Sequence, residues 1–307
     1  MTNEDILSKM EEEIHLRGLS RHTREEYITR TRIAMRYFNC PLEDLNEQNL
    51  RQFLLYLLDE KKLSSGSVNG YNSALRFVYG SVIGRSMNHY QLPRQKEVHQ
   101  FPQILTREEV FSLFDSADNL RDKAMLMTVY GGGLRGAELV NLKTSDIYAS
   151  TMRILIRQGK GKKDRFTLLS KTNLDILTQY WYAYKPRHTH NYLFLSRSHD
   201  KMTTRSLQNA FHKALRKSGI KKEVTLHTLR HCFATHIMEN GADVCQIKKL
   251  LGHTYIQTTS KYLHLINFED SLTSPLDAPP KKPAKRGRPK GSKNKTHSPE
   301  NGGEANA

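Results

Sequence analysis

His227-Thr228-Leu229-Arg230-His231-Cys232-Phe233-Ala234-Thr235-His236 is the stretch from which the rest of the chain can be read. It lies at the start of a run with helical spacing from Thr228 through Leu251, in which apolar residues recur every three or four positions. Helical neighbours are three and four residues apart, so His227, Arg230 and His231 share adjacent turns of one face. A plain core helix rarely carries two imidazoles and a guanidinium side by side. Two histidines four apart also suggest zinc. The stretch lacks the glutamate of a His-Glu-x-x-His site and has no obvious third ligand, so no metal is expected.

Toward the C-terminus follow Leu250-Leu251-Gly252-His253 and Thr258-Thr259-Ser260-Lys261-Tyr262. A phenol titrates near ~10 and is a weak nucleophile at neutral pH, so a reactive tyrosine needs cations, a proton acceptor and a positioned electrophile. Toward the N-terminus, Gly131-Gly132-Gly133-Leu134-Arg135-Gly136-Ala137-Glu138 brings Arg135 to the point where a glycine turn enters a helix. There its planar fork can meet an anion beside helix N-terminal amides, and Glu138 one turn on can hold it. Between these islands, Met152–Arg157 and Arg165–Leu169 alternate like strands around the loop Gly159-Lys160-Gly161-Lys162-Lys163-Asp164. The expectation is a β-hairpin whose loop lysines Lys160, Lys162 and Lys163 reach a polyanion.

The flanks are helical. Asp5–Leu16, Thr23–Phe38 with a Thr23/Glu26 capping box, the stripe Leu50, Phe53, Leu54, Leu57, Leu58 and the stripe Val68, Tyr71, Leu75, Val78, Val82 predict four N-terminal helices. Pro93 to Pro102 has a proline at each end and no periodicity, as a linker would. Thr106 and Glu109 open a further helix, Ala124, Met127 and Tyr130 mark the next, and helical spacing returns at Leu174–Trp181 and Leu207–Leu215. The fold class expected is mainly α with a small β-sheet: a helical unit over 1–92, a linker over 93–103, an α+β unit over 104–273 and a disordered basic tail over 274–307.

Charge points to the partner. The 307 residues hold 48 Lys plus Arg against 31 Asp plus Glu, a net charge of +17, which favours a polyanion. No apolar run approaches the ~18 residues of a membrane span, and the polar, acidic start Met1–Met10 is unlike a secretion signal. A cytoplasmic protein is expected. Cys40, Cys232 and Cys245 are too few and scattered for a disulfide framework and are read as reduced packing residues.

The islands together resemble the catalytic domain of the tyrosine recombinases, the phage-integrase family. Arg135, Lys160, His227, Arg230, His253 and Tyr262 match its Arg-Lys-His-Arg-His-Tyr set in order, and His227–His236, Gly241-Ala242-Asp243 and Leu250–His253 are similar to Xer-type and integron-type integrases nearly word for word. The N-terminal helices resemble the family's core-binding, SAM-like domain. The resemblance implies that Tyr262 attacks a DNA phosphodiester to form a 3′-phosphotyrosyl link without metal, ATP or other cofactor. It implies further that Arg135 and Arg230 hold the nonbridging oxygens, Lys160 is the general acid, His227 helps accept the tyrosine proton and His253 donates to the phosphate. Glu138 and His231 would support them. The implied partner is double-stranded DNA at paired recombination sites, bound by a homotetramer at the nucleoid. Lys162 and Lys163 compete with Lys160 for the acid role, and the short polar segment after Tyr262 leaves the mode of assembly open. A recombinase-derived DNA-binding regulator, or a topoisomerase-like nicking and resealing enzyme, would carry many of the same residues. Finally, Lys285-Arg286-Gly287-Arg288-Pro289-Lys290-Gly291 in the tail resembles an AT-hook, with Arg286, Gly287, Arg288 and Pro289 as its DNA-binding core.

Overall fold

Most of the longer helices start at a short polar side chain that accepts a hydrogen bond from the third backbone N–H of the first turn. The computed structural model describes residues 1–85, 92–96, 103–157, 164–253, 255–260 and 262. In the first of two units, Met1–Phe101, Thr2 caps α1 (Asn3–Leu16), Ser20 caps α2 (Arg21–Phe38), Asn46 caps α3 (Glu47–Asp59) and Ser64 caps α4 (Ser65–Phe77). The expected Thr23/Glu26 box is corrected by this: Ser20 accepts from Thr23 N, so the helix begins three residues earlier. Ile6, Met10, Leu50, Phe53, Leu57 and Leu75 close the core, with Tyr79 from the π-helical turn Val78–Ile83 that follows α4.

The start of the proline-bounded stretch is tied to this unit. Buried Asn72 donates to the carbonyls of Leu92 and Pro93 at 3.2 and 3.0 Å, and Asn69 pairs with the backbone of Gln95 in both directions at 3.0 and 2.9 Å. Buried amides need partners, and these carbonyls supply them.

The second unit, Pro102–Ala307, begins with α5 (Arg107–Asp115), capped by Thr106 with Glu109 returning the bond as expected. Then come α6 (Leu120–Gly132) and the five-residue α7 (Gly136–Val140). Among the described residues the sheet has three antiparallel strands in the order β1 (Ile147–Tyr148), β2 (Arg153–Ile156), β3 (Arg165–Leu168). Its register places Ile154 opposite Thr167 and Ile156 opposite Arg165. The short β1 adds to the hairpin expected from alternation. The loop 158–163, with Lys160, Lys162 and Lys163, lies outside the described residues.

Among the described residues four helices follow the sheet, α8 (Lys171–Tyr184), α9 (Thr204–Ser218), α10 (Leu226–Glu239) and α11 (Val244–Leu251), and then the single turn α12 (Gln257–Ser260). The run Thr228–Leu251 is thus two helices rather than one, broken where Gly241 takes φ +92° and Asp243 caps the second. A core of Val129, Leu139, Ile154, Phe194, Phe211 and Leu229 lies beneath, and a smaller cluster of Phe233, Ala234, Met238, Ile247, Leu251 and Tyr262 joins α10 to α11. The expectation of a mainly helical chain with a small sheet holds. The cysteine reading holds only in part: Cys232 is buried and takes a hydrogen bond from Leu105 N at 3.3 Å, whereas Cys245 is exposed on α11.

Candidate functional site

Glu138 is the centre of the site. As the third residue of α7 it accepts the backbone N–H of Arg135 at 2.8 Å and the Arg135 Nη1 donor at 2.7 Å, so the sequence-stretch arginine and its capping carboxylate form one unit. Arg165 at the first position of β3 donates both Nη atoms to the two carboxylate oxygens, each at 2.8 Å. Arg230 Nη1 approaches the same carboxylate at 3.7 Å. One carboxylate, 7% exposed, therefore faces three guanidinium groups. Burial alone would raise its pKa, but the Arg165 hydrogen bonds and charge, with Arg135, reverse that and hold it at about 2. It remains ionised throughout the neutral range.

Arg230 lies on α10 with a 1% exposed side chain. Its Nη1 donates to Gly133 O at 2.7 Å and its Nη2 to Leu251 O at 2.6 Å. The buried guanidinium thus ties the glycine turn to the end of α11. Burial, then Arg135, lower its pKa to about 9 against the opposing pull of Glu138, which leaves it a cation at pH 7. The turns on either side of it fit only without a side chain: a Cβ on Gly133, at φ +60°, would lie 2.4 Å from the Phe233 ring.

The histidines differ by position. His227 and His231 pack edge to face on successive turns, with ring centroids 4.7 Å apart, as the spacing predicts. His227 is exposed, although crowding around its ring, followed by the Arg230 and Arg135 charges, lowers its pKa. His253, just past α11, shares a 2.9 Å hydrogen bond between Nδ1 and Thr259 Oγ1. Its burial and the charges of Arg230, Arg135 and Arg165 push its pKa down to about 3, so it is neutral at pH 7.

Tyr262 is 3% exposed in the α10–α11 cluster, and its hydroxyl lies 2.9 Å from Nδ1 of His231. Burial raises its pKa, opposed by Arg230 and Arg135. The nearest imidazole to the phenol is that of His231, whereas the resemblance puts His227 in that place. Five of the six sequence-predicted positions, Arg135, His227, Arg230, His253 and Tyr262, thus fall on or beside α7, α10 and α11, while Lys160 lies outside the described residues. Arg165 was missed. An arginine at the edge of an alternating strand has no local signature of its role, and the partner that reveals it, Glu138, is 27 residues away.

Among the described residues no cluster of three or more His, Cys, Asp or Glu is placed to hold a metal ion, and no helix is long and apolar enough to cross a membrane. An apolar groove of about 590 Å³ lined by Phe111, Phe114, Met127, Met152, Phe233 and Ile237 contains none of the six positions. The constellation faces a surface instead, with Arg135 and His227 at its open edge.

Mainly helical packing surrounds a carboxylate that faces three arginines and a tyrosine hydroxyl held by a histidine of α10. Residues 103–267 match the model of the phage integrase family, and residues 6–89 match the SAM-like N-terminal domain of phage integrases. The integrase/recombinase y4qK of Sinorhizobium fredii is 35% identical over 288 residues, 91% of this chain and 92% of that protein. The tyrosine recombinase XerD of Listeria monocytogenes is 33% identical over 268 residues, 81% of this chain and 90% of its own length. Among solved structures, a lambda integrase tetramer bound to a Holliday junction has a TM-score of 0.70 at 20% identity, covering 85% of this chain and 77% of the integrase, which shows the shared fold. The chain belongs to the phage integrase family and is a site-specific DNA recombinase of the tyrosine type.

Proposed function

We propose that the chain cleaves and rejoins duplex DNA through Tyr262, using Arg135, Lys160, His227, Arg230 and His253 on the scissile phosphate. The observation that carries this reading is the Glu138 carboxylate, which holds Arg135 and stands 3.7 Å from Arg230 on the helix whose His231 contacts the Tyr262 hydroxyl. Tyr262 Oη attacks phosphorus, the phenolic proton passes to an imidazole, and the bond to the 5′-oxygen breaks. Lys160, or a neighbouring loop lysine, gives that oxygen its proton. Because the phenol is 3% exposed, the ring has to turn toward the arginines before a phosphate reaches it. The 3′-phosphotyrosyl product retains the energy of the broken ester, so a partner strand's 5′-hydroxyl can reverse the step.

Arg135 and Arg230 offset the charge that grows on the nonbridging oxygens, the largest electrostatic contribution open to the site. His253, held neutral at pH 7 by burial and nearby arginines, can accept or donate a single hydrogen bond without adding charge, and His227, whose pKa is lowered by crowding around its ring and by Arg230 and Arg135, stands beside it for the same use. The partner in this reading is double-stranded DNA at paired sites, acted on by a homotetramer in the cytoplasm at the nucleoid. The bound DNA in the lambda integrase structures and their tetramer on a junction support it by kinship.

The test is covalent capture. Nicked suicide duplexes tiled across the DNA flanking the gene trap the adduct of the native chain on a denaturing gel. Tyr262→Phe is expected to bind the same duplex and form no adduct, since it lacks only the nucleophilic oxygen. An adduct formed by the Phe variant removes Tyr262 from the role, and a two-site exchange assay separates recombination from simple resealing.

A further inference from the structure

We infer that Arg165 is a positioning residue of the strand-transfer site, fixing the Glu138 carboxylate and the turn after α11 together so that Arg135, Arg230 and His253 bear on one phosphate. The inference rests on the function proposed above and adds to its residues. A carboxylate that holds a catalytic arginine is useful only if its own plane is fixed. Arg165 fixes it by two parallel hydrogen bonds of 2.8 Å, the fork-to-fork arrangement that only a guanidinium supplies. The third donor of the same side chain, Nε, goes to Leu250 O at 2.8 Å. Leu250 and Leu251 are the last residues of α11, Leu251 O receives Arg230, and His253 follows two residues later.

Arg165 therefore touches both ends of the constellation without facing its open edge, and its side chain is 9% exposed. The path of its aliphatic stem explains a glycine: a Cβ on Gly252, at φ +64°, would lie 2.8 Å from Arg165 Cδ. The arginine also heads β3, five residues after Lys160 in sequence, so the strand leaving the lysine loop is moored to the carboxylate at its first residue. Arg135, Arg165 and Arg230 form one assembly around Glu138, in which Arg165 has its fork and its Nε committed to protein acceptors.

The experiment uses the full-length chain and the suicide duplex on which the native protein forms its adduct, in single turnover with the enzyme in excess. Arg165→Lys retains the charge and loses the fork. It is expected to cleave at least tenfold more slowly, with its affinity for the duplex within about threefold of native and at a temperature well below its melting midpoint. Arg165→Met is expected to lose more, and the double variant with Glu138→Gln, which removes both buried charges, to be no slower than the worse single variant, because the pair acts as a unit. Native-like cleavage by Arg165→Lys overturns the inference, as do losses that multiply in the double variant. Should Arg165→Met not fold, the lysine variant decides alone. A native chain that forms no adduct on any duplex overturns the proposed function and this inference with it, whereas a native adduct with unchanged variants overturns this inference only.

Discussion

Arg230 illustrates what the interior demands of a buried cation. At 1% exposure its Nη donors go to two backbone carbonyls, and Glu138 balances part of its charge. A lysine there would bring one compact ammonium to a space shaped for a planar fork and leave a buried carbonyl unpaired. Arg230→Lys is expected to lose about 10²-fold or more in single-turnover cleavage and roughly 1–3 kcal/mol of stability, read from the capture assay and from urea unfolding. Acid should find the same cluster. Glu138, held at about 2 against an ordinary 4.5, contributes stability that is whole above pH 4.5 and is lost as pH falls toward 2, in all about 3 kcal/mol. His253, held at about 3 against 6.5, stays neutral in the folded chain while the unfolded chain takes up its proton below pH 6.5. Its contribution has the same sign and is lost between 6.5 and 3. The urea midpoint is expected to fall from pH 6.5 downward, with Glu138→Gln flattening the lowest part of that fall; a midpoint independent of pH down to 4 counts against the His253 shift, and a fall between pH 4 and 2 that Glu138→Gln leaves unchanged counts against the Glu138 shift. At this scale sequence reading reaches a residue when its partner is close along the chain, as Arg135 and Glu138 are. It did not reach Arg165, whose partners are 27 and 85 residues away, nor the pairing of Tyr262 with His231 rather than His227.

Helix ends, more than helix bodies, set the geometry of the site. Arg135 precedes α7, His253 follows α11, and Gly133 ends α6 in the left-handed region with the Phe233 ring where a side chain would begin. Gly133→Ala is therefore expected to cost about 2–3 kcal/mol, part from the left-handed backbone and part from a ring that must move out of α10's packing. The ring and the Arg230 donor share α10, so cleavage should fall along with the urea midpoint. A variant as stable as native would show that Phe233 yields freely. Most of the elements could be read from periodicity, since stripes such as Leu50, Phe53, Leu54 and Leu57 are buried as a helix requires. What periodicity blurred was where elements stop. Residues 228–251 keep helical spacing across a break at Gly241, and two capping candidates three residues apart, Ser20 and Thr23, differ only in which one the chain uses. The two-residue β1 pairs with β2 through Ile147 and Tyr148, too short a segment to show alternation at all.

For the molecule as a whole, chemistry and charge are distributed differently along the chain. The candidate reactive positions run from Arg135 to Tyr262, whereas residues 274–307, which lie outside the described residues, hold eight basic against three acidic side chains. Cleavage is therefore expected to survive truncation at Leu276, while affinity for DNA weakens because fewer counterions are released. Whether the tail reads sequence turns on Arg286-Gly287-Arg288-Pro289. Glycine allows a backbone close to the groove floor, proline keeps the path extended, and arginines are drawn to the narrow minor groove of A·T tracts, where a G·C pair would place a protruding amino group. A basic tail without this geometry would hold any duplex through its phosphates alike. Competition binding by the full-length chain at fixed salt separates the two. Arg288→Ala is expected to lower affinity for an A·T-rich competitor several-fold more than for a G·C-rich duplex of equal length, since only the former offers the groove that the arginine enters. Equal losses on both duplexes would reduce the tail to a nonspecific electrostatic arm and leave target selection to the two folded units.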